Sequence, residues 1–325
     1  MSEILEGPSA IALGVDRLGE GDLVVFPTET VYGLGADALD AQAVERVFAL
    51  KGRPSTNPLI VHVSGIVMAK TVVSHWPDAA DLIARAYWPG PMTMVLPKAD
   101  VVPEIVCAGG STVAVRCPGH PCALALIESF GKPIVGPSAN PSGRISPTAP
   151  EHVADGFPDA DLVIVDGGRC RAGIESTVVD LSGDLIRILR PGIIGAHAIS
   201  ETIGQSVECV AQPADDSIAK SPGVVGSHYQ PRTPTRLVGA EELGSADGSV
   251  TLIAWSIDSH PAGGVLISMP RTLGAYASAI YRSLHDADRE DSAAIWIEEP
   301  AIGAGADDDA IRSAIMERLG RATHQ

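Results

Sequence analysis

The stretch Lys51-Gly52-Arg53-Pro54-Ser55-Thr56-Asn57-Pro58-Leu59-Ile60-Val61-His62 puts two cations on a glycine/proline turn and then enters an apolar strand that ends on an imidazole. Lys51 and Arg53 stand one residue apart, so a tight turn can aim both at one polyanion such as a triphosphate. Ser55 and Asn57 add hydrogen-bonding groups. The run Leu59-Ile60-Val61 has the composition of a buried strand, which would fix the turn and deliver His62 nearby. Upstream, the apolar strand Leu23 to Phe26 feeds a second loop of this kind, Pro27-Thr28-Glu29-Thr30-Val31-Tyr32-Gly33-Leu34-Gly35, and a helix starts near Asp40. Ala43, Val44, Val47, Phe48 and Leu50 give that helix one apolar face. Strand, loop, helix, turn and strand in this order predict an α/β fold.

The alternation continues outward. Val- and Ile-rich strands are expected at 92–97, 112–116, 133–136, 161–165, 176–181 and 184–189, with helices at 78–87, 121–130, 149–155 and 196–204. A first domain over 1–205 follows. Residues 206–234 change character: Gln212-Pro213-Ala214-Asp215-Asp216, Ser221-Pro222-Gly223, His228-Tyr229-Gln230-Pro231 and Thr233-Pro234 read as a linker. It is long for a passive connection, and long ordered loops are often lids. Beyond it, strands at 249–255, 263–269 and 293–297 and helices at 272–288 and 306–320 predict a small parallel α/β domain over 235–325. Each domain reads as self-contained. The second lacks a G-x-G-x-x-G, so nothing supports a dinucleotide site there.

Composition limits the function. The 325 residues carry 23 Lys+Arg against 40 Asp+Glu, and both halves are acidic: 14 against 23 over 1–205, then 9 against 17. Strong direct nucleic-acid binding is therefore not expected. An anionic substrate must be held by local cations rather than by the overall field. No apolar run reaches the roughly 20 residues of a membrane span, and MSEILEGPSA carries acids where a signal peptide has cations. A cytoplasmic protein is expected. Five cysteines without a C-x-x-C pair point to free, buried thiols rather than disulfides or zinc. There is no Walker A sequence, so a nucleotide would be bound without a P-loop.

The two loops together resemble the YrdC/Sua5 family, the threonylcarbamoyl-AMP synthases. The resemblance continues through Pro89-Gly90-Pro91-Met92-Thr93, Thr112 to Arg116, Gly136-Pro137-Ser138-Ala139-Asn140, Ser142-Gly143, Ser146-Pro147-Thr148, Ser176 to Asp180 and Arg190-Pro191-Gly192, and on into the C-terminal domain. It implies the long, two-domain Sua5 form: a YrdC-like twisted sheet with an open cavity, plus a small Rossmann-like parallel α/β domain. It implies a nucleotidyltransferase that joins L-threonine, bicarbonate or CO2 and ATP, with Mg2+ carried on the ATP and no protein metal ligand named. The product would pass to a separate tRNA threonylcarbamoyl transferase machinery that makes threonylcarbamoyladenosine (t6A).

The resemblance also assigns residues. Lys51 and Arg53 would be catalytic and, with Asn57, Thr112, Ser138, Asn140, Ser146 and Arg190, would bind ATP. Thr30, His62, Arg116, Gly136 and Ser176 would form the threonine site, Arg116 taking the carboxylate. Arg144 is an extra cation in the second polar loop. His228 and Tyr229 would belong to a lid. The linker keeps this His-Tyr pair but lacks the Lys/Arg and Tyr of many Sua5 linkers. Two other readings stand beside the synthase: a double-stranded RNA-binding module, as for short YrdC forms, and a carbamoyl-transfer domain of the hydrogenase-maturation type. The acidic composition opposes the first. The second comes with an acylphosphatase-like domain and zinc-finger cysteines, which this chain lacks.

Overall fold

Residues 2–209, 229–303 and 305–323 are described by the structure, a computed structural model. Among them, the first sheet contains β1 Glu3–Glu6, β2 Val24–Phe26, β3 Gly33–Asp37, β4 Ile60–His62, β5 Met92–Pro97, β6 Thr112–Arg116, β7 Ile134–Val135, β8 Val163–Asp166, β9 Thr177–Asp180, β10 Arg187–Arg190 and β11 Glu208–Cys209. Their spatial order is β1-β8-β2-β3-β7-β4-β6-β5-β9-β10-β11, with parallel and antiparallel pairs mixed. Seven helices accompany this sheet in the described chain: α1 Gly7–Gly19, α2 Ala41–Lys51, α3 Ile66–Val72, α4 Asp78–Tyr87, α5 Pro121–Phe130, α6 Pro150–Gly156 and α7 Ala196–Ile203. The second sheet is wholly parallel, in the order β12-β15-β13-β14 (Thr235–Val238, Ala294–Glu298, Val250–Ala254, Leu266–Ser268). It packs with α8 Leu273–Asp288 and α9 Ala306–Thr323. The α/β class and the small parallel domain are as expected.

Side-chain alternation decides which face of the large sheet is open. Val61, Met92, Met94, Leu96, Val113, Val115 and Val179 enter the main apolar core. Their neighbours one residue away must point the other way. There Ile60, Val95, Ala114 and Val178 form a separate small cluster. His62, Thr93, Thr112, Arg116 and Ser176 share that second face by the same period of two. The sequence therefore builds one dry face and one face studded with polar groups.

Some elements were not evident in the sequence. β3 reads as loop because Gly33-Leu34-Gly35 has poor strand propensity. The glycines are there for packing: a Cβ on Gly33 would lie 2.7 Å from the Phe26 ring, and one on Gly35 3.0 Å from the Val24 carbonyl. β1, α1 and α3 were also missed, as was β12, which follows directly on Pro234. β11 places the start of the 206–234 segment at the edge of the first sheet, paired with β10. All five cysteines are free: Cys107, Cys117 and Cys170 are buried as expected, Cys122 is half-buried and Cys209 exposed.

The two domains are not self-contained. One apolar cluster contains Val31, Ile145, Ile174 and Tyr229 together with Tyr276, Ile280, Tyr281, Leu284, Ile315 and Leu319 of the C-terminal domain. Gly173, in the left-handed region at φ 71°, lies so close to α8 that a Cβ would sit 2.5 Å from the Ser278 Cα. No described helix is long and apolar enough to cross a membrane.

Candidate active site

Helix α2 delivers the first loop. Asp40 caps its N-terminus by accepting the Gln42 N–H, and Gly52 ends it in the left-handed region at φ 59°. The chain turns back, and Arg53 is clamped by donating from Nε to the Asn57 carbonyl (3.2 Å) and from Nη2 to the Pro58 carbonyl (2.9 Å). Arg53 also lines a cavity of about 60 Å³. Arg116, Arg144 and Arg190 line the same cavity, together with Gly136, Ser138, Asn140, Ser146, Glu175 and Tyr229. Arg190 is nearly buried; its Nε and Nη2 donate to the Ser176 carbonyl (3.1 and 3.0 Å), and Nη2 also to the Ser176 hydroxyl (3.1 Å). Burial lowers the pKa of both Arg53, to about 10, and Arg190. Both remain cations at neutral pH.

Lys51 is placed differently. It is buried and absent from the cavity wall; Nζ donates to the Ser138 and Asn140 carbonyls, both at 2.5 Å. The Lys51 carbonyl in turn accepts the Ser142 N–H at 2.8 Å. Burial, then the Arg53 charge, push its ammonium well below the usual lysine range. Asn140 Nδ2 donates to the Pro141 and Arg144 carbonyls, while its Oδ1 is buried without a partner. Ser146 donates to Glu175 Oε1 at 2.8 Å. Asn57 is buried beside the Arg53 clamp but does not line the cavity. Thr112 lies further along the open face, in a neighbouring pocket of about 430 Å³ that it shares with Pro58, Ala114 and Ser182.

The residues expected around threonine lie on the sheet floor. Arg116 and His62 are register partners on the parallel pair β6 and β4. Arg116 Nε donates to the Gly90 carbonyl at 3.2 Å and Nη2 is 2.8 Å from Glu29 Oε1. That contact is an ion pair without good hydrogen-bond alignment, since neither atom counts a hydrogen-bond partner. His62 is buried against Phe26 edge-on, 5.5 Å between ring centres, and its Nδ1 has no partner. Burial, then Arg116, hold its pKa down to about 3. The imidazole is therefore neutral at physiological pH. Gly136 is glycine because a Cβ would lie 2.7 Å from His62 Nδ1 and from the Phe26 ring. Thr30 is fully buried with its hydroxyl 2.8 Å from that of Thr28, and the Ser176 hydroxyl is 2.8 Å from that of Thr93. Thr30, His62 and Ser176 are not among the residues that line the cavity.

Two acidic residues of the site were missed. Glu29 lies inside the first loop, and its only sequence signal is that position. Glu175 precedes the matched Ser176 but its partners come from far along the chain. Of the lid pair, Tyr229 lines the cavity, 5% exposed, its ring stacked on Tyr281 at 5.3 Å. His228 lies outside the described residues. Gln230 N–H donates to the Gly143 carbonyl at 2.9 Å, tying the segment to the second polar loop.

Residues 16–192 match the family model described as "Telomere recombination" (Sua5/YciO/YrdC), and residues 194–323 match "Threonylcarbamoyl-AMP synthase, C-terminal domain". The chain belongs to the Sua5/YciO/YrdC family, in its threonylcarbamoyl-AMP synthase branch. The threonylcarbamoyl-AMP synthase of Bacillus subtilis is 39% identical over 285 residues, covering 86% of this chain and 80% of that protein. That of Pyrococcus abyssi is 47% identical over 222 residues, 68% of this chain and 65% of that protein. The crystal structure of P. abyssi Sua5 complexed with L-threonine superposes with a TM-score of 0.87 at 33% identity, covering 99% of this chain and 98% of the other. The Sua5 branch supports the synthase reading over an RNA-binding module or a carbamoyl-transfer domain, because the second domain is the synthase's own.

Proposed function

We propose that this Sua5-family chain makes threonylcarbamoyl-AMP from L-threonine, bicarbonate or CO2 and ATP. The threonine amine adds to CO2 and loses a proton, giving a carbamate. A carbamate oxygen then forms a bond to the α-phosphorus, and the bond from that phosphorus to the bridging β-oxygen breaks, releasing diphosphate. No covalent protein intermediate is needed, so catalysis is positioning and charge stabilisation. The observation that carries this reading is the convergence of Arg53, Arg116 and Arg190 on one cavity of an acidic protein.

In this reading Arg53 and Arg190, with Arg144 beside them, meet the phosphates, and the Ser138, Asn140 and Ser146 loops follow the nucleotide. Lys51 supports them by gripping the Ser138–Asn140 backbone, and Asn57 by gripping Arg53. The Thr112 pocket next door takes the nucleoside end. Arg116 takes the threonine carboxylate, and neutral His62 offers an acceptor on the floor beside Gly136, Thr30 and Ser176. Mg2+ enters with ATP; among the described residues no three His, Cys, Asp or Glu side chains group as a metal site. Tyr229 works as the lid: it forms part of the wall of a cavity of about 60 Å³, far below the roughly 300 Å³ of an ordinary ligand pocket, and that wall opens at Tyr229 for ATP to enter. The product passes to a tRNA-modifying transferase.

The test is diphosphate release measured with each substrate omitted in turn. Release should require ATP, threonine and bicarbonate together. Equal release without threonine would overturn the synthase reading.

A further inference from the structure

The two domains meet at one buried carboxylate. Glu175 lines the cavity near Arg190 and is 8% exposed. Its Oε1 accepts the Ser146 hydroxyl at 2.8 Å; its Oε2 accepts the Tyr281 hydroxyl at 2.9 Å and Arg318 Nε at 3.2 Å. Tyr281 belongs to α8 and Arg318 to α9, so both donors to Oε2 come from the C-terminal domain. Arg318 is completely buried; Nη1 also donates to the Pro191 carbonyl at 2.5 Å and stands 3.0 Å from Glu317. A helix of one domain thus reaches into the wall of the other's cavity with its charge fully enclosed.

We propose that Tyr281 and Arg318 are positioning residues through which the C-terminal domain sets the nucleotide wall: they fix the Glu175 carboxylate, and Glu175 in turn fixes Ser146 and the balance of charge with Arg190 on the same wall. The inference rests on the nucleotide reading of this cavity. Its physical basis is charge balance in a low-dielectric space. Glu175 and Arg190 line the same cavity and interact electrostatically, and Glu175 stays ionised despite burial because Arg318 and Arg190 oppose it. Without Arg318, the carboxylate would turn to its other cation. Arg190 would then be neutralised at the place where it should meet an anionic ligand, and Ser146 would lose its fixed acceptor. Tyr281 limits the rotation of the same carboxylate while its ring seats Tyr229.

The experiment measures binding of a non-hydrolysable ATP analogue by calorimetry, and steady-state KM for ATP and threonine, on the full chain. Tyr281→Phe removes one hydrogen bond to Glu175 and keeps the ring that stacks on Tyr229. It should weaken ATP roughly 3–10-fold and leave the KM for threonine within about twofold. Arg318→Met should weaken ATP at least about tenfold, and adding Glu175→Gln to it should recover most of that loss, because an amide neither needs Arg318 nor competes for Arg190. A merely structural role predicts no such recovery and equal effects on both substrates. Unchanged ATP affinity in Tyr281→Phe overturns the proposal even if Arg318→Met fails to fold, and so does an equal loss for threonine. If the unsubstituted protein makes no threonylcarbamoyl-AMP, the synthase reading fails instead, which is a separate result.

Discussion

Replacing Arg116 by lysine should weaken threonine and spare ATP. Arg116 is 3% exposed, and its orientation is set by Gly90 through Nε and by Glu29 through Nη2. A guanidinium held this way can present two parallel donors to a carboxylate. Arg116→Lys keeps a cation for Glu29 but offers a point charge in place of the fork. The loss is one charge-assisted hydrogen bond, about 1.5–3 kcal/mol, or roughly 10–150-fold in threonine affinity. ATP should change by less than about twofold, because Arg53 and Arg190 are untouched. Folding should be little affected. By contrast, Arg116→Met leaves the Glu29 carboxylate, with 13% of its side chain exposed, without its cation; the cost should fall below the roughly 3–5 kcal/mol of a fully buried broken pair. Separate calorimetric titrations with threonine and with a non-hydrolysable ATP analogue distinguish these outcomes. Unchanged threonine binding, or equal losses for both ligands, would refute the assignment of Arg116.

Arg53→Ala should show the opposite selectivity, with ATP weakened about tenfold or more and threonine binding retained; equal losses in parallel titrations would reject it. Tyr229→Ala should speed ATP association and increase release of free AMP and threonine, because the seat on Tyr281 is emptied; unchanged nucleotide on-rate in stopped flow counts against the lid. Acid should destabilise the fold before the carboxylates titrate. His62 and His152 are buried and held at about 3, mainly by burial. Their folded pKa values lie below the unfolded value near 6.5, so their stability contribution is present above pH 6.5 and lost as pH falls towards 3. At pH 5 each costs up to about 2 kcal/mol relative to pH 7.5, and a Tm identical at the two pH values would contradict this.

The strands of the open face were legible because their alternation is unbroken: Thr112, Ala114 and Arg116 against Val113 and Val115, with Ile60 and His62 against Val61. The cation turn was legible because glycine and proline fix it locally. What could not be read depends on partners remote in sequence. β3 is a strand only because Phe26 lies under its glycines. Glu175 is a site residue because Arg318, 143 positions away, supplies its counter-charge. The self-contained reading of the domains failed for the same reason: Val31, Ile145 and Ile174 look like ordinary core residues until α8 covers them.

The direction of Lys51 was equally hidden, and the chemistry of burial accounts for it. The K-x-R pattern predicts two equal phosphate partners, yet the structure turns Lys51 to backbone carbonyls and Arg53 to the cavity. Burial drives the lysine well below its usual range, while Arg53 is lowered only to about 10. A guanidinium delocalises its charge, is less strongly hydrated than an ammonium, and survives enclosure as a cation. It can therefore be clamped by carbonyls and still present a charge to the cavity, as Arg53 does through Asn57 and Pro58 and Arg190 through Ser176. An enclosed ammonium does better by directing its donors to fixed carbonyls, as Lys51 does with Ser138 and Asn140. The K-x-R spacing thus divides the two cations: the lysine holds the loop, and the arginine lines the cavity. In a chain with a net charge of −17, that division keeps a local positive field where the protein as a whole would repel an anionic ligand.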